Sequence, residues 1–192
     1  MVSAVPFIIE KREMNMAKNV GKVFEDNWKK SIPSDMWNYK PPDAATGFNQ
    51  TDKKLRFSHK SPADYFIFDT RYGLFYTLEL KSFEGSCSFE RNKEDKGVIH
   101  WYQIETLLKF AEYDRVISGL ILDFRESGNT YFLEIRDFKN MIDNHITKNS
   151  FNESDMLRCC NPYKIEKEKL RIHYRYNIEL FCNDMKNSIL GC

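Results

Sequence analysis

Two strand-like stretches constrain this chain most. Asp64-Tyr-Phe-Ile-Phe68 and Leu74-Phe-Tyr-Thr-Leu-Glu-Leu-Lys81 are rich in aromatic and aliphatic residues, and Asp69-Thr-Arg-Tyr-Gly73 between them reads as a turn. A turn at Arg71-Tyr72 pairs residue 69 with residue 74. Continuing that ladder sets Asp64 directly opposite Glu79, fifteen residues later. Side chains so paired have Cβ atoms about 4.5–5.5 Å apart. Residues two apart on a strand share a face, so Glu79 and Lys81 project together while the Leu80 side chain enters the opposite layer. Two carboxylates at that separation repel, and one is forced to protonate unless a cation intervenes. Mg²⁺ is a hard ion held by one or two carboxylates, waters and phosphate oxygens, and it fits such a pair. The competing view is a surface Glu-Lys pair on an ordinary strand. An acid inside two otherwise apolar strands weighs against it.

The rest of the chain reads as helices and strands around this hairpin. Residues 17–31 predict a helix, with Val20, Phe24 and Trp28 spaced by four, flanked by Val23 and Asn27, and ended by Pro33. Residues 33–62 look irregular, punctuated by Pro33, Pro41-Pro42, Gly47 and Pro62. Residues 97–113 predict a helix with Ile104, Leu107, Leu108 and Ala111 on its apolar face. Gly119–Phe124 and Thr130–Arg136 predict strands, and Asp137–Ile146 a helix capped by Asp137. Residues 148–162 read as a polar loop, and Tyr163–Leu180 as a terminal strand pair or extension. The order suits an α/β or α+β sandwich with a mixed sheet.

Composition excludes several classes. With 42% apolar and 30% charged residues the 192-residue chain is not a disordered segment, and its length suits one domain. There are 29 Lys plus Arg against 28 Asp plus Glu, which excludes a uniformly basic binder but leaves room for local basic patches. No run of about 18 apolar residues predicts a membrane span. The five cysteines include the vicinal Cys159-Cys160 and no C-x-x-C, so neither a disulfide framework nor a zinc site is expected. A reducing, cytoplasmic setting follows as the expectation. His100, next to Trp101 at a helix start, reads as structural, and Cys87 lacks an assignable base.

Pro62-Ala63-Asp64, the fifteen-residue gap and Glu79-Leu80-Lys81 resemble the signature of the PD-(D/E)XK nuclease superfamily. Gly21-Lys22-Val23-Phe24-Glu25 resembles the first-helix motif of its Holliday junction resolvases, and Trp101-Tyr102-Gln103 resembles the start of the helix after the E-x-K strand. The order of the four motifs over residues 17–138 is similar to RecU-type resolvases of bacteria and phages. Some of those carry a further Asp two residues before the E-x-K Glu, where this chain has Thr77.

The resemblance implies a single nuclease domain over 1–192, with a core of about 17–146 and a C-terminal extension over 148–192. Its fold is α/β: a restriction-endonuclease-like mixed central sheet flanked by helices, with a protruding loop or stalk at 33–62 before the first active-site Asp. It implies metal held by Asp64, Glu79 and the Leu80 backbone carbonyl: Mg²⁺, with Mn²⁺ as a substitute. Lys81 then positions or activates the attacking water, or offsets phosphate charge. Glu25 joins the metal shell or orients the water, and its alternative is a solvated helix Glu paired with Lys22 or Lys29. Gln103 contacts a phosphate or the water, or is a helix-surface amide.

Lys53-Lys54-Leu55-Arg56-Phe57-Ser58-His59-Lys60 holds four cations and no acid, so Lys53, Lys54, Arg56 and Lys60 suit a DNA backbone and Phe57 suits stacking on exposed bases. A second patch sets Lys164, Lys167, Lys169, Arg171 and Arg175 against Glu166 and Glu168, a net of +3.

The activity implied is metal-dependent, structure-selective hydrolysis of phosphodiesters in branched DNA, resolving four-way junctions. It implies a homodimer acting away from membranes, in a bacterial cell or a phage-infected host. The alternatives are a restriction-type or repair endonuclease, a catalytically inactive DNA-binding module, and an unrelated α/β domain.

Overall fold

The computed structural model describes residues 20–42 and 61–190. Its centre is a six-stranded mixed sheet. In chain order the strands are β1 (Trp37–Tyr39), β2 (Tyr65–Asp69), β3 (Leu74–Phe83), β5 (Val116–Phe124), β6 (Asn129–Glu134) and β8 (Tyr163–Lys164), and they lie in that spatial order. Two further pairs stand apart: β4 (Cys87–Ser88) with β7 (Ser150–Phe151), and β9 (Lys167–Lys169) with β10 (Tyr174–Tyr176). The helices are α1 (residues 20–31), α2 (Trp101–Phe110), α3 (Ile135–Asn144), α4 (Glu153–Cys159) and α5 (Ile178–Leu190).

Both sheet faces are covered. Phe83, Leu120 and Leu122 pack with Ile104 and Leu107 of α2 and with Phe138 and Met141 of α3. Leu78, Leu80 and Ile121 pack on the other side with Phe24 and Trp28 of α1 and Phe181 of α5. Burial from both sides is why β3 and β5 read as nearly unbroken apolar runs. They are parallel neighbours, so the chain must cross over between them, and α2 is that crossover. Gly119 makes the next pairing possible: a Cβ there would stand 2.4 Å from the Leu133 carbonyl oxygen and 2.6 Å from the Phe132 ring.

The β2–β3 hairpin has the expected register, from Asp69 opposite Leu74 to Tyr65 opposite Leu78. Its turn is held by Asp69, whose carboxylate accepts bonds of 3.0–3.1 Å from the Arg71 backbone and guanidinium. Gly73 closes the turn at φ +66°, a region that favours glycine.

Elsewhere the structure corrects the local reading. The segment expected to be irregular contains β1, an exposed edge strand antiparallel to β2. The helix expected over 97–113 is shorter, because Phe89 bridges Ile99 and a Cβ on Gly97 would stand 2.6 Å from the Phe89 carbonyl carbon. The helix expected to begin at Asp137 starts directly after β6, since Ile135 belongs to the buried stripe with Phe138, Met141 and Ile142. The polar loop expected over 148–162 contains β7 and α4. Asn152 caps α4 by accepting a 2.8 Å bond from the Asp155 amide, and Phe151 and Met156 are fully buried. The terminal strand pair or extension expected over Tyr163–Leu180 contains β8, β9 and β10 but gives way at Ile178 to α5, whose Ile178, Phe181 and Cys182 fill the second core.

Candidate active site

The hairpin register brings the sequence-predicted acids together. Asp64 directly precedes β2, and its amide donates to the Leu78 carbonyl at 3.1 Å. Its Oδ2 accepts a 2.8 Å bond from the Leu80 amide. Both bonds lie on the β2 side of β3. Strand backbone groups repeat direction every second residue, so the Leu80 carbonyl also faces past the end of β2, beside Asp64.

Glu79 lies on the α2 face of β3 and is only 1% exposed. Its Oε1 pairs with Lys81 Nζ at 2.9 Å and accepts a hydrogen bond from Gln103 Nε2. Gln103 is oriented by its other atom: Oε1 accepts a 2.9 Å bond from the His100 amide at the start of α2. The amide can therefore present only its donor to Glu79. Both its polar atoms are used within the chain, so Gln103 positions Glu79. Glu90 fixes the same helix end, taking the Trp101 amide at 2.9 Å and His100 Nδ1 at 2.8 Å. Burial alone would raise its pKa, but these bonds outweigh that and lower it. His100 also stacks on Tyr102, with centroids 5.5 Å apart. Burial raises the Tyr102 pKa, and the charges of Glu79, Lys81 and Asp64 bear on it too.

The electrostatics are those of crowded carboxylates. Burial, and then the charge of Glu79, push the Asp64 carboxyl up to about 7. Burial would lower the Lys81 pKa, but Glu79 and Asp64 overcome it and raise it. Lys81 is therefore held as an ammonium, whereas a general base needs the opposite shift. Two acids against one cation leave the cluster one negative charge in excess when all ionise. Hard oxygen donors with surplus negative charge suit a divalent cation. The donors that fit are Asp64, Glu79 and the Leu80 carbonyl. Among the described residues no group of three or more His, Cys, Asp or Glu side chains forms a metal cluster, so the acid count here is two.

Tyr65, next to Asp64, donates from its hydroxyl to the Glu25 backbone carbonyl at 3.4 Å, and burial, together with the charges of Glu25 and Asp64, raises its pKa. Glu25 is on α1, which packs on the opposite sheet face. It pairs with Lys40, just after β1, and not with Lys22 or Lys29. The sequence carries no signal for that partner, because β1 itself was not legible. Thr77 is fully buried two residues before Glu79, and its hydroxyl has no hydrogen-bond partner. Lys53, Lys54, Arg56, Phe57 and Lys60 lie outside the described residues.

No family model matches the chain. The SPbeta prophage-derived uncharacterized protein YotM of Bacillus subtilis (strain 168) is 29% identical over 181 residues, covering 88% of each chain. The Holliday junction resolvase Hjc of Archaeoglobus fulgidus is similar in structure at a TM-score of 0.41 and 14% identity, over 72% of this chain and 87% of that one. Among the described residues no helix is long and apolar enough to cross a membrane.

Proposed function

We propose that the chain is a metal-dependent endodeoxyribonuclease of the PD-(D/E)XK type, selective for branched DNA and resolving four-way junctions as RecU-type enzymes do. One observation carries this reading: Asp64 and Glu79 meet at the open end of the β2–β3 hairpin, with Lys81 paired to Glu79 at 2.9 Å. A purely structural ion pair does not need a second, half-buried acid whose carboxyl is pushed up to about 7.

Asp64, Glu79 and the Leu80 carbonyl would hold Mg²⁺ or Mn²⁺. Bound there, the ion supplies Lewis acidity toward the phosphate and a lowered pKa for the attacking water. Lys81, kept protonated by its two acidic neighbours, stabilises charge growing on the scissile phosphate. Gln103 holds Glu79 in one rotamer and so keeps a ligand oxygen in place. A four-way junction is nearly two-fold symmetric, and a C2 homodimer presents two copies of one site to it. The site of action is the cytoplasm of a bacterial or phage-infected cell.

The test is cleavage of a synthetic four-way junction and a linear duplex of matched sequence, with Mg²⁺ or EDTA. Paired symmetric nicks in the junction, lost in EDTA and in Asp64→Asn, support the proposal. Equal cutting of linear duplex points to a restriction or repair enzyme. Binding without cutting in any divalent metal indicates a DNA-binding module. Undiminished cutting by Asp64→Asn sinks the site assignment.

A further inference from the structure

We propose that the β9–β10 hairpin is a second DNA-engaging element, which wedges Ile172 into the branch point while Lys169, Arg171 and Arg175 hold flanking phosphates. This rests on the nuclease reading above and adds to it an element on the other side of the sheet.

The hairpin has a rigid root and a bare tip. At the root, Lys167 Nζ bonds Asp123 Oδ1 at 3.0 Å and Thr130 Oγ1 at 2.8 Å, with only 11% of its side chain exposed. Asp123 Oδ2 accepts from Ser82 Oγ at 2.9 Å, so the root is tied to the residue that follows Lys81. The Lys167 ammonium also lies over the rings of Tyr174 and Tyr176, at 4.7 and 5.6 Å. Behind it, the Tyr176 amide donates to Ser31 Oγ of α1 at 3.0 Å. The hairpin is thus fixed to β3, β5, β6 and α1 at the end of the sheet where the candidate site lies.

The tip is closed by the Leu170 amide donating to the His173 carbonyl at 2.8 Å. Ile172 at its apex is 76% exposed. One exposed aliphatic is ordinary on a protein surface. Here it stands at the apex of a braced two-stranded element, between Arg171 and His173. Lys169, Arg171 and Arg175 are exposed, and among the described residues none makes an ion pair, although Glu168 sits across the ladder from Arg175. Free cations suit phosphates, and an apolar apex between them suits an unstacked base step. A single aliphatic residue is too little apolar surface to anchor a chain in a lipid bilayer.

The test compares the full-length wild type with Ile172→Ser and with the triple variant Lys169→Gln/Arg171→Gln/Arg175→Gln. Binding to a four-way junction and to linear duplex is read by fluorescence anisotropy in EDTA across a salt series, with Mg²⁺ cleavage assayed in parallel. All four side chains are exposed, so melting temperatures should match the wild type. The triple variant should lower the slope of log K against log salt by about 2–3, near 0.9 per lost phosphate contact, and weaken binding to both DNAs. Ile172→Ser should leave duplex binding within about twofold and reduce the preference for the junction by about 5–10-fold. Wild-type binding by both variants overturns the hairpin assignment while leaving the nuclease standing. Altered binding by the variants of a chain that cuts nothing keeps the hairpin and removes the nuclease. A wild type that binds no DNA overturns both. Sedimentation with anionic vesicles that only the variants lose, with DNA binding untouched, would assign the hairpin to a membrane surface and overturn the proposal.

Discussion

Replacing Asp64 by Asn should make the metal-free protein more stable at pH 8, with a clearly smaller gain at pH 5. Asn keeps an oxygen to accept the Leu80 amide and turns a donor toward the Glu79 carboxylate, so the 2.8 Å bond survives and the repulsion goes. The Asp64 carboxyl is pushed from 3.8 to about 7, first by burial and then by Glu79. Such a rise costs the ionised form at most about 4 kcal/mol. Glu79 shares the repulsion and relaxes when it is relieved, so a gain of about 1–3 kcal/mol is expected. The sign follows from linkage. A carboxyl whose folded pKa is raised binds its proton more tightly in the native state. Its stabilising contribution is complete below its ordinary value of 3.8 and is lost as pH rises through about 7. Thermal melts in EDTA at pH 5 and pH 8 read this directly, at about 2–4 °C per kcal/mol for a chain of this size. Adding Mg²⁺ at pH 8 should then raise the wild-type melting temperature and leave the variant almost unmoved. An Asp64→Asn protein less stable than wild type at pH 8, or one whose advantage is the same at both pH values, would refute the reasoning.

Three further outcomes follow from the same geometry. Gln103→Ala removes the donor that fixes Glu79 and should lower kcat for DNA cleavage by about 10–100-fold with little change in DNA affinity, read by single-turnover cleavage beside anisotropy. Thr77→Val replaces a buried, unpartnered hydroxyl by a methyl of like shape and should be neutral or stabilising by about 1 kcal/mol in urea denaturation. Gly119→Ala forces a methyl against the Leu133 carbonyl at 2.4 Å and should destabilise by about 2–4 kcal/mol, with early loss of hydrogen-exchange protection along β5 and β6.

The hairpin carrying the candidate site was legible because its determinants are local. Strand alternation and a four-residue turn set the register by short-range geometry, and the register alone brings Asp64 to Glu79. Helix α4 carried an equally local signal, the Asn152-x-x-Asp155 cap, that the polar composition of 148–162 obscured. Other features have no local cause. Strand β1 is three exposed residues that are extended only because β2 offers an edge. Glu25 meets Lys40 only because that strand carries Lys40 back toward α1. Lys167 and Asp123 lie 44 residues apart in sequence, and their pairing is decided by where the sheet ends. Nor do propensities state the ionisation of Lys81, which depends on its own burial and on the charges of the two acids beside it. The sequence by itself determined the pairing of the two acids, through backbone periodicity. The tertiary structure decided the environment of each charge, because burial and long-range contacts depend on the whole chain having packed.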